Sequence, residues 1–342
     1  MPDHARYVVT GGAGFVGSSL VAALARHDSR ADIVVVDDCR TGSFANILEA
    51  FDRQALPPFR GRLIPEPFGM INAGMLVEGA HAVFHLAAIT DTTVSNEADM
   101  IRVNAEHFRP LLHACVSQGI PLVYASSAAT YGTPDQAAKR EAFPLVAAGR
   151  PNNVYGFSKW LMECAHAEVV GAMGAATRST VVGLRYFNVF GPGETRKGHM
   201  ASMVYQLATK MLAGQHPRVF RDGSQARDQV YVDDVVACTL AGAGIGGSGR
   251  PKSGVYNVGS GVPTSFNQII AALREELGIS ESARPTDYIE MSDHIRSFYQ
   301  DFTLADLTQT QVGLGWAPAW NPADAIRAYA KHLKQRHTPA PG

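Results

Sequence analysis

The sequence predicts an α/β protein built on a doubly wound parallel sheet, followed by a smaller C-terminal α/β part. Two observations carry this prediction. Short apolar runs rich in β-branched residues alternate with helical stretches from residue 6 to residue 185, which is typical of a parallel sheet covered by helices. After residue 185 the rhythm changes, and residues 186–338 show shorter elements separated by more turns.

Composition restricts the kind of protein and its partners. The 342 residues are 46% hydrophobic and 18% charged, as in globular proteins, and the net charge of −1 predicts no affinity for nucleic acid. We expect no membrane segment, because no apolar run approaches the roughly 18 residues that span a bilayer. The four cysteines match no metal-binding spacing, so no metal site is predicted, and a start without a leader sequence favours a cytoplasmic location.

The first strand, glycine turn and apolar helix (RYVVTGGAGFVGSSLVAALARH) predict a dinucleotide site. Their glycines form a GxxGxxG variant, which permits a tight turn, close approach of a pyrophosphate and close packing of the helix on the strand. The phosphates would bind at the helix N-terminus, where N–H groups and the dipole favour anions. We therefore predict a Rossmann-type fold whose cofactor contacts include Gly11, Gly14, Phe15, Val16 and Gly17.

The second strand, DIVVV, ends at an acidic pair that predicts the cofactor type. Asp37 occupies the position where a carboxylate accepts hydrogen bonds from the adenosine ribose and disfavours a 2′-phosphate. Asp38 follows it, and then Arg40, which is either a phosphate partner or a solvated loop arginine. The cofactor is thus NAD or NADP, with NAD favoured.

The following strands complete the predicted sheet. The third is short (62–64), the fourth (HAVFHLAA, 81–88) ends in small residues, and the sixth is TVVGLR (180–185). We place three residues at the end of the fourth strand beside the cofactor: Leu86, Ala87 and Ala88. A helix from about Glu97 to Gln118 leads to the fifth strand.

The stretches YASSAATYG and VYGFSKWLMEC contain the predicted chemistry. Tyr155 and Lys159 are four residues apart at the start of a helix, so both project from one face. A cation beside a phenol favours the phenolate, which can then serve as a general base. Ser127, at the end of the fifth strand, could hydrogen-bond the substrate oxygen that Tyr155 deprotonates.

The sequence suggests two domains. Residues 1–185 would bind the dinucleotide, with a strand at 254–259 returning to the same sheet, and residues 186–338 would mainly bind substrate. Within the second part, RVFRDGSQARDQVYVDDVVACTL predicts a strand pair followed by a helix, and the tail predicts two short helices around a Gly/Pro turn.

The motifs TGGAGFVG, HLAA, YASSAATYG, YGFSK, RYFNVFGP and RDQVYVDDV, in this order, resemble the extended short-chain dehydrogenase/reductases that act as nucleotide-sugar epimerases and dehydratases. The resemblance covers roughly residues 6–315. It implies a nucleotide-sugar substrate, a tightly bound NAD(P) regenerated in each turnover, and a homodimer through the helices near 97–118 and 155–172. Dehydratases carry an Asp-Glu pair where this chain has Ala128 and Ala129, so elimination is not expected.

The resemblance also assigns roles. It makes Tyr155 the acid/base, has Lys159 hold the cofactor ribose, and has Ser127 orient the reacting hydroxyl. It places substrate contacts at Asn188, Ser202, Arg227, Arg296 and Tyr299. The two arginines match positions that clamp the diphosphate, as the guanidinium fork suits phosphate oxygens. Arg227 could instead pair with Asp228 or Asp233.

A narrower resemblance concerns FNVFGPGETRKGHMASMVYQL, which is similar to the ADP-L-glycero-D-manno-heptose 6-epimerase family. In that family the lysine matching Lys197 is a proposed second acid/base; the alternative is a solvated loop lysine. A UDP-hexose 4-epimerase stays open because Arg296 fits its pattern too. The remaining alternatives are a reductase that consumes NADPH and an NAD(P)-sensing binding module, against which the intact catalytic set argues.

Overall fold

The computed structural model describes residues 4–91, 96–132, 142–143, 145, 151–174, 178–247, 249–291 and 299–337. Its strands are β1 (Arg6–Thr10), β2 (Asp32–Val36), β3 (Arg62–Ile64), β4 (Ala82–His85), β5 (Leu122–Ser127), β6 (Val181–Tyr186), β7 (Asn188–Phe190), β8 (Arg218–Phe220), β9 (Ala226–Tyr231), β10 (Gly254–Val258), β11 (Pro263–Ser265) and β12 (Asp287–Ile289).

The α-helices follow the same chain order. They are α1 (Phe15–His27), α2 (Phe44–Arg53), α3 (Ala73–Val77), α4 (Glu97–Ile101), α5 (Phe108–Gln118), α6 (Val154–Met173), α7 (Met203–Leu212), α8 (Val232–Gly242), α9 (Phe266–Leu277), α10 (Thr308–Leu314) and α11 (Pro322–His337). Among the described residues, no helix has the length and apolar character to cross a membrane.

The main sheet has seven strands in the order β10-β6-β5-β4-β1-β2-β3, and every pair in it is parallel. Val8 pairs with Val34 on one side and with Val83 on the other, and all three side chains are fully buried. A strand buried on both faces accounts for the apolar β-branched runs. The predicted doubly wound α/β fold is confirmed, and β10 lies beside β6 in the same sheet.

The order reverses between β1 and β4, which are adjacent although two strands separate them in the chain. In open α/β sheets, ligands bind in the crevice outside the carboxyl ends of the strands at such a switch point. The turn after β1 and the loop after β4 both border this crevice. The fold thus places the predicted cofactor residues together.

The helix predicted over 97–118 is interrupted. A π-helical turn at Arg102–Glu106 separates α4 from α5. Within it the buried Asn104 bonds the main chain of Ile89, accepting from N at 2.8 Å and donating to O at 3.0 Å. Its amide also donates to Ser158 Oγ at 3.0 Å. These bonds connect the loop after β4 to α6. A regular α-helix over 97–118 would not place the Asn104 side chain to make them.

The smaller part is built differently from the prediction. The two strands predicted as a pair, β8 and β9, exist, but β8 pairs with β12, and β9 pairs with β7 and β11. Between β8 and β9, Arg221 and Gly223 both have positive φ, at 53° and 72°, and the chain turns away instead of forming a hairpin. The last helix, predicted as short, has 16 residues.

Candidate active site

A cleft of 1040 Å³ lies at the switch point, between the main sheet and the smaller part. It brings together all the predicted site residues that the structure describes. They are Gly11, Gly14, Phe15, Val16, Gly17, Asp37, Asp38, Leu86, Ala87, Ala88, Ser127, Tyr155, Lys159, Asn188, Lys197, Ser202, Arg227 and Tyr299. Arg296 lies outside the described residues. The roles assigned to these residues stay predictions.

The glycine turn leaves room for main chain and ligand only. Gly11 has φ +71°, and a Cβ there would lie 2.5 Å from the amide nitrogen of Ala87. A Cβ on Gly17 would lie 2.1 Å from the carbonyl oxygen of Gly11, so α1 packs directly on the turn. Gly14 is the N-cap of α1 and has no side chain to occupy the first-turn N–H groups. The turn therefore fits a pyrophosphate.

Asp37 is held rigidly at the end of β2. Its carboxylate is 8% exposed and accepts hydrogen bonds from the main-chain nitrogens of Ala13 and Cys39, each at 2.9 Å. Burial raises the pKa of Asp37, and these two bonds oppose the shift. A carboxylate has about four acceptor sites, so a ribose hydroxyl can still bind it.

Arg40 makes acidic contacts that lessen its value as a 2′-phosphate partner. Its guanidinium lies 3.5 Å from Asp38 and 3.9 Å from Asp99, and its side chain is 54% exposed. The geometry agrees with a loop arginine occupied by carboxylates. The acidic surroundings favour NAD over NADP.

The catalytic hydroxyls meet where α6 approaches β5. Ser127 ends β5 and accepts a hydrogen bond from the main-chain nitrogen of Ala129 at 3.1 Å. Gly156 allows the contact, since a Cβ there would lie 2.5 Å from the carbonyl oxygen of Ala129. Tyr155 hydrogen-bonds Ser127; burial raises the pKa of Tyr155, and this bond lowers it. The two hydroxyls can therefore hold one substrate oxygen between them.

Lys159 is buried and bonded to the main chain of β5. Its side chain is 2% exposed, and Nζ donates to the carbonyl oxygen of Ala125 at 2.8 Å. Burial lowers the pKa of Lys159 to about 7. Burial raises the pKa of Tyr155 and the hydrogen bond with Ser127 lowers it. The expected lowering of that pKa by the Lys159 cation is not seen.

A buried ion pair beneath the catalytic residues was not predicted. Arg185 on β6 donates to Glu163 on α6 through Nε at 2.9 Å and Nη2 at 2.6 Å. Ser126 donates to the same carboxylate at 2.5 Å. Glu163 lies one turn after Lys159, and Ser126 precedes Ser127. The pair thus ties α6 to β5 and β6 directly behind the site.

Asn104 was also missed, although the sequence held a signal for it. An asparagine inside a helical pattern competes for main-chain hydrogen bonds and disfavours the helix interior. Here it marks the π-helical turn, and such turns are frequent at functional sites. Its bond to Ser158 orients the first turns of α6, between Tyr155 and Lys159.

Lys197 faces the cleft from the loop between β7 and α7. Its Nζ lies 5.2 Å from the ring centroid of Phe15, the first residue of α1. Burial lowers the pKa of Lys197, and the charge of Glu194 raises it. The ammonium of Lys197 is therefore partly buried beside the dinucleotide turn.

Arg227 forms no ion pair with Asp228 or Asp233, the two acids near it in the sequence. Asp228 accepts from the main-chain nitrogens of Ser260 and Ala305, and Asp233 forms an ion pair with Arg53 at 3.2 Å. The structure therefore excludes the alternative ion pairs considered for Arg227.

The Arg227 guanidinium instead stacks over the Tyr299 ring, 4.9 Å from its centroid. Burial lowers the pKa of Arg227, and Tyr299 and Asp301 oppose the shift. Arginine stays charged even so. A cation braced by an aromatic ring and facing the cleft suits an anionic substrate group.

The other two substrate-side residues differ in what they offer. Asn188 begins β7 and is exposed in the cleft, where its Oδ1 lies 3.4 Å from the Thr303 hydroxyl. Ser202 lines the cleft, but its hydroxyl donates to Glu194 at 2.8 Å and accepts from Tyr205 N at 3.1 Å. The hydroxyl proton of Ser202 is already donated to Glu194. The side chain is therefore better placed to stabilise the loop than to donate a hydrogen bond to substrate.

Comparison with known proteins identifies the class. Residues 7–259 match the model of the NAD dependent epimerase/dehydratase family, and the chain belongs to that family.

Three solved structures show how far the similarity extends. An ADP-L-glycero-D-manno-heptose-6-epimerase of Helicobacter pylori is 32% identical over 97% of this chain and 96% of its own, with a TM-score of 0.80. MoeE5, in complex with UDP-glucose and NAD, is 27% identical over 98% and 100%, with a TM-score of 0.76. A UDP-glucuronic acid 4-epimerase of Bacillus cereus, with UDP-glucuronic acid and NAD, shares the fold at 23% identity over 97% and 99%, with a TM-score of 0.79.

The residues present fit the family's NAD. At the glycine turn, main chain packs on main chain at Gly11 and Gly17, and Gly14 leaves the first-turn N–H groups of α1 without a side-chain cap; Asp37 presents a fixed carboxylate for the ribose. The end of β4, with Ala87 and Ala88, borders the same cleft as Tyr155. When bound, the nicotinamide supplies reversible acceptance of a hydride from a carbinol carbon.

Proposed function

We propose that the protein is a nucleotide-sugar epimerase whose substrate is ADP-glycero-manno-heptose, inverted at C6. The observation that carries the proposal is Lys197, an ammonium partly buried in the cleft, in a segment similar to that of heptose epimerases. The 32% identity with the Helicobacter pylori enzyme over nearly the whole chain supports the same substrate.

The catalytic hydroxyls supply the first half of the proposed reaction. Tyr155 takes the proton of the substrate hydroxyl as the carbon is oxidised, and Ser127 donates a hydrogen bond to the same oxygen. Both lie at the junction of β5 and α6, held by the Glu163–Arg185 pair. Lys159 is anchored at Ala125 and would hold the cofactor ribose.

In the second half the hydride would return to the opposite face of the carbonyl carbon, and the carbonyl oxygen, now on the other side of the site, would need a proton. C6 of a heptose lies outside the sugar ring, so the carbonyl can present either face after a small rotation. An acid on the other side then removes the need to turn the whole sugar. Lys197 is the residue we assign to that side.

Several cations lining the cleft suit a nucleoside diphosphate. They are Arg196, Lys197, Lys210, Arg218 and Arg227. All come from the smaller part of the molecule, which supports residues 186–338 as the main substrate-binding portion. Phosphate oxygens pair well with such groups, and Arg227 is already held in place by Tyr299.

A UDP-hexose 4-epimerase is the second candidate. MoeE5 binds UDP-glucose and NAD and aligns with 98% of this chain. In that case Tyr155 would act in both halves of the reaction. Because C4 lies in the ring, the whole sugar of the intermediate would rotate in the pocket and present its other face. Lys197 would then have no catalytic part.

The predicted cytoplasmic location and homodimer through the helices near 97–118 and 155–172 stay predictions.

Substitution of Lys197 separates the two candidates. We expect Lys197→Ala to reduce kcat with ADP-D-glycero-D-manno-heptose by about 10²-fold or more, the range for loss of a general acid. Lys252→Ala, at an exposed lysine in the loop before β10, is the matched control and should keep the wild-type rate. A Lys197→Ala enzyme with near wild-type kcat would contradict the heptose mechanism, and unimpaired turnover of UDP-glucose would favour the hexose one.

A further inference from the structure

Glu194 is a buried acid that the mechanism above does not use. It lies in the loop between β7 and α7, three residues before Lys197, and it is 0% exposed. Within the described residues no basic side chain forms an ion pair with it at 4.0 Å or less. A carboxylate buried without a close cation costs free energy unless hydrogen bonds satisfy it.

Hydrogen bonds to this carboxylate close the loop. Oε1 accepts from Gly191 N at 3.2 Å and from Ser202 Oγ at 2.8 Å, while Oε2 accepts from Ser202 N at 2.6 Å. The main-chain oxygen of Glu194 accepts from Lys197 N at 3.0 Å. One residue thus joins the end of β7 to the N-cap of α7 and fixes the main chain of Lys197 between them.

The groups around Glu194 define its electrostatic partners. Tyr205 on α7 and Tyr329 on α11 face it; burial and then the charge of Glu194 raise the pKa of each. Lys197 is the cation that lowers the pKa of Glu194, against the effect of burial. The nearby Arg336 is held by Glu49 at 2.9 Å, and His199 lies 3.5 Å from Asp91.

We infer that Glu194 is a positioning residue, which closes the loop 191–202 around Lys197 and, through its charge, keeps Lys197 an ammonium able to donate a proton. The inference rests on the role proposed for Lys197. Its physical basis is that burial disfavours the charged form of a lysine, and a nearby negative charge restores it. Without Glu194, Lys197 would lose its proton at a lower pH.

The test is a titration of Lys197 by NMR after reductive ¹³C-methylation. The protein has seven lysines, so the resonance of Lys197 is assigned by its absence from the Lys197→Arg spectrum. We expect Glu194→Gln to lower the pKa of Lys197 relative to wild type. Asp234→Asn is the matched control, because Asp234 is also buried and accepts two main-chain bonds, from Ala319 and Trp320. It should leave that pKa unchanged.

A reciprocal variant covers the case in which Glu194→Gln does not fold. Coupling between two charges acts equally on both, so Lys197→Met should raise the pKa of Glu194, followed by the ¹³C-carboxyl resonance of labelled glutamate. An unchanged pKa of the partner in either variant would overturn the inference.

Kinetics distinguish this inference from the proposed function. In an active enzyme, the alkaline limb of the kcat profile should move to lower pH in Glu194→Gln and return toward wild type in Glu194→Asp. A lower kcat with an unmoved limb would mean a merely structural role and would overturn the inference. Absence of turnover by wild type with either sugar nucleotide would overturn the proposed function, while the NMR titration still decides the coupling.

Discussion

Lys159 is a single residue that the proposed chemistry needs but whose buried charge destabilises the folded protein. The ammonium is almost fully buried and donates to the carbonyl oxygen of Ala125. Burial lowers its pKa to about 7, so keeping the proton at neutral pH costs free energy. Function at the site therefore opposes the stability of the fold.

Lys159→Met should lose epimerase activity without losing stability at pH 7. The folded-state pKa of about 7 lies below the unfolded value, so the unfolded state binds more protons between these values. The wild type should thus gain about 1.4 kcal/mol in free energy of unfolding per pH unit as the pH rises above 7, and the variant should lack this gain.

Urea unfolding of both proteins at pH 7 and pH 9 measures the difference. Other groups titrate in this range in both proteins and cancel in the comparison. A variant that is much less stable at pH 7, with the wild-type dependence on pH, would show that Lys159 is a structural group.

The elements around the site depend on the ion pair of Glu163 with Arg185. Its side chains are 8% and 3% exposed, and it joins α6 to β6, which pairs with the strand that carries Ser127. Removing one partner of a buried pair leaves an uncompensated charge, whereas replacing both by apolar residues removes that cost.

Arg185→Met should therefore destabilise the protein by about 3–5 kcal/mol, and Glu163→Leu/Arg185→Met should recover much of the loss. The free energies of unfolding of the wild type, both single variants and the double variant form the required cycle. Additive losses, with the double variant the least stable, would mean that the two side chains act independently.

The sequence predicted those elements whose signals are local. The glycine turn, Asp37 and the end of β4 each belong to one short pattern, and the structure places them together in the cleft. The π-helical turn was missed because the partners of Asn104 lie 15 and 54 residues away. The pairing of β8 was wrong because a three-residue strand carries too little pattern to choose its neighbour.

The same limit applies to the chemistry of the site. The spacing of Tyr155 and Lys159 predicted one helix face, but the partner of Lys159 is on β5 and its low pKa comes from burial that many elements create. Likewise, Glu194 appears in the sequence as one acid in a polar loop. Only the folded chain shows that it is buried beside Lys197.

The whole molecule should be sensitive to acid. His166 hydrogen-bonds Tyr124 at 3.1 Å, and burial lowers its pKa to about 4, while burial and the charge of Lys159 lower the pKa of His85 to about 3. Both histidines are neutral in the folded protein at pH values where the unfolded chain takes up protons. The contribution of these two neutral histidines to the free energy of unfolding is therefore fully present above about pH 6.5 and is lost as the pH falls toward 4.

We expect the free energy of unfolding to fall by about 1.4 kcal/mol per pH unit for each of these histidines below pH 6.5. His166→Gln, which cannot titrate, should show a smaller decrease between pH 6.5 and pH 5 in denaturant unfolding. His216→Gln, at an exposed histidine, is the control and should follow the wild type. Equal decreases in all three proteins would assign the acid sensitivity to other groups.

At the scale of the whole molecule, we expect the cleft to epimerise ADP-D-glycero-D-manno-heptose at C6 with its own bound NAD. The most direct test is to incubate the purified protein with ADP-D-glycero-D-manno-heptose, adding no cofactor, and to follow the C6 stereocentre by NMR. UDP-glucose serves as the parallel substrate, and Tyr155→Phe as the inactive control. We predict the C6 epimer of the heptose, without net consumption of cofactor. Epimerisation of UDP-glucose alone would contradict the heptose assignment, and net oxidation of added NADPH would contradict epimerisation with a bound, regenerated cofactor.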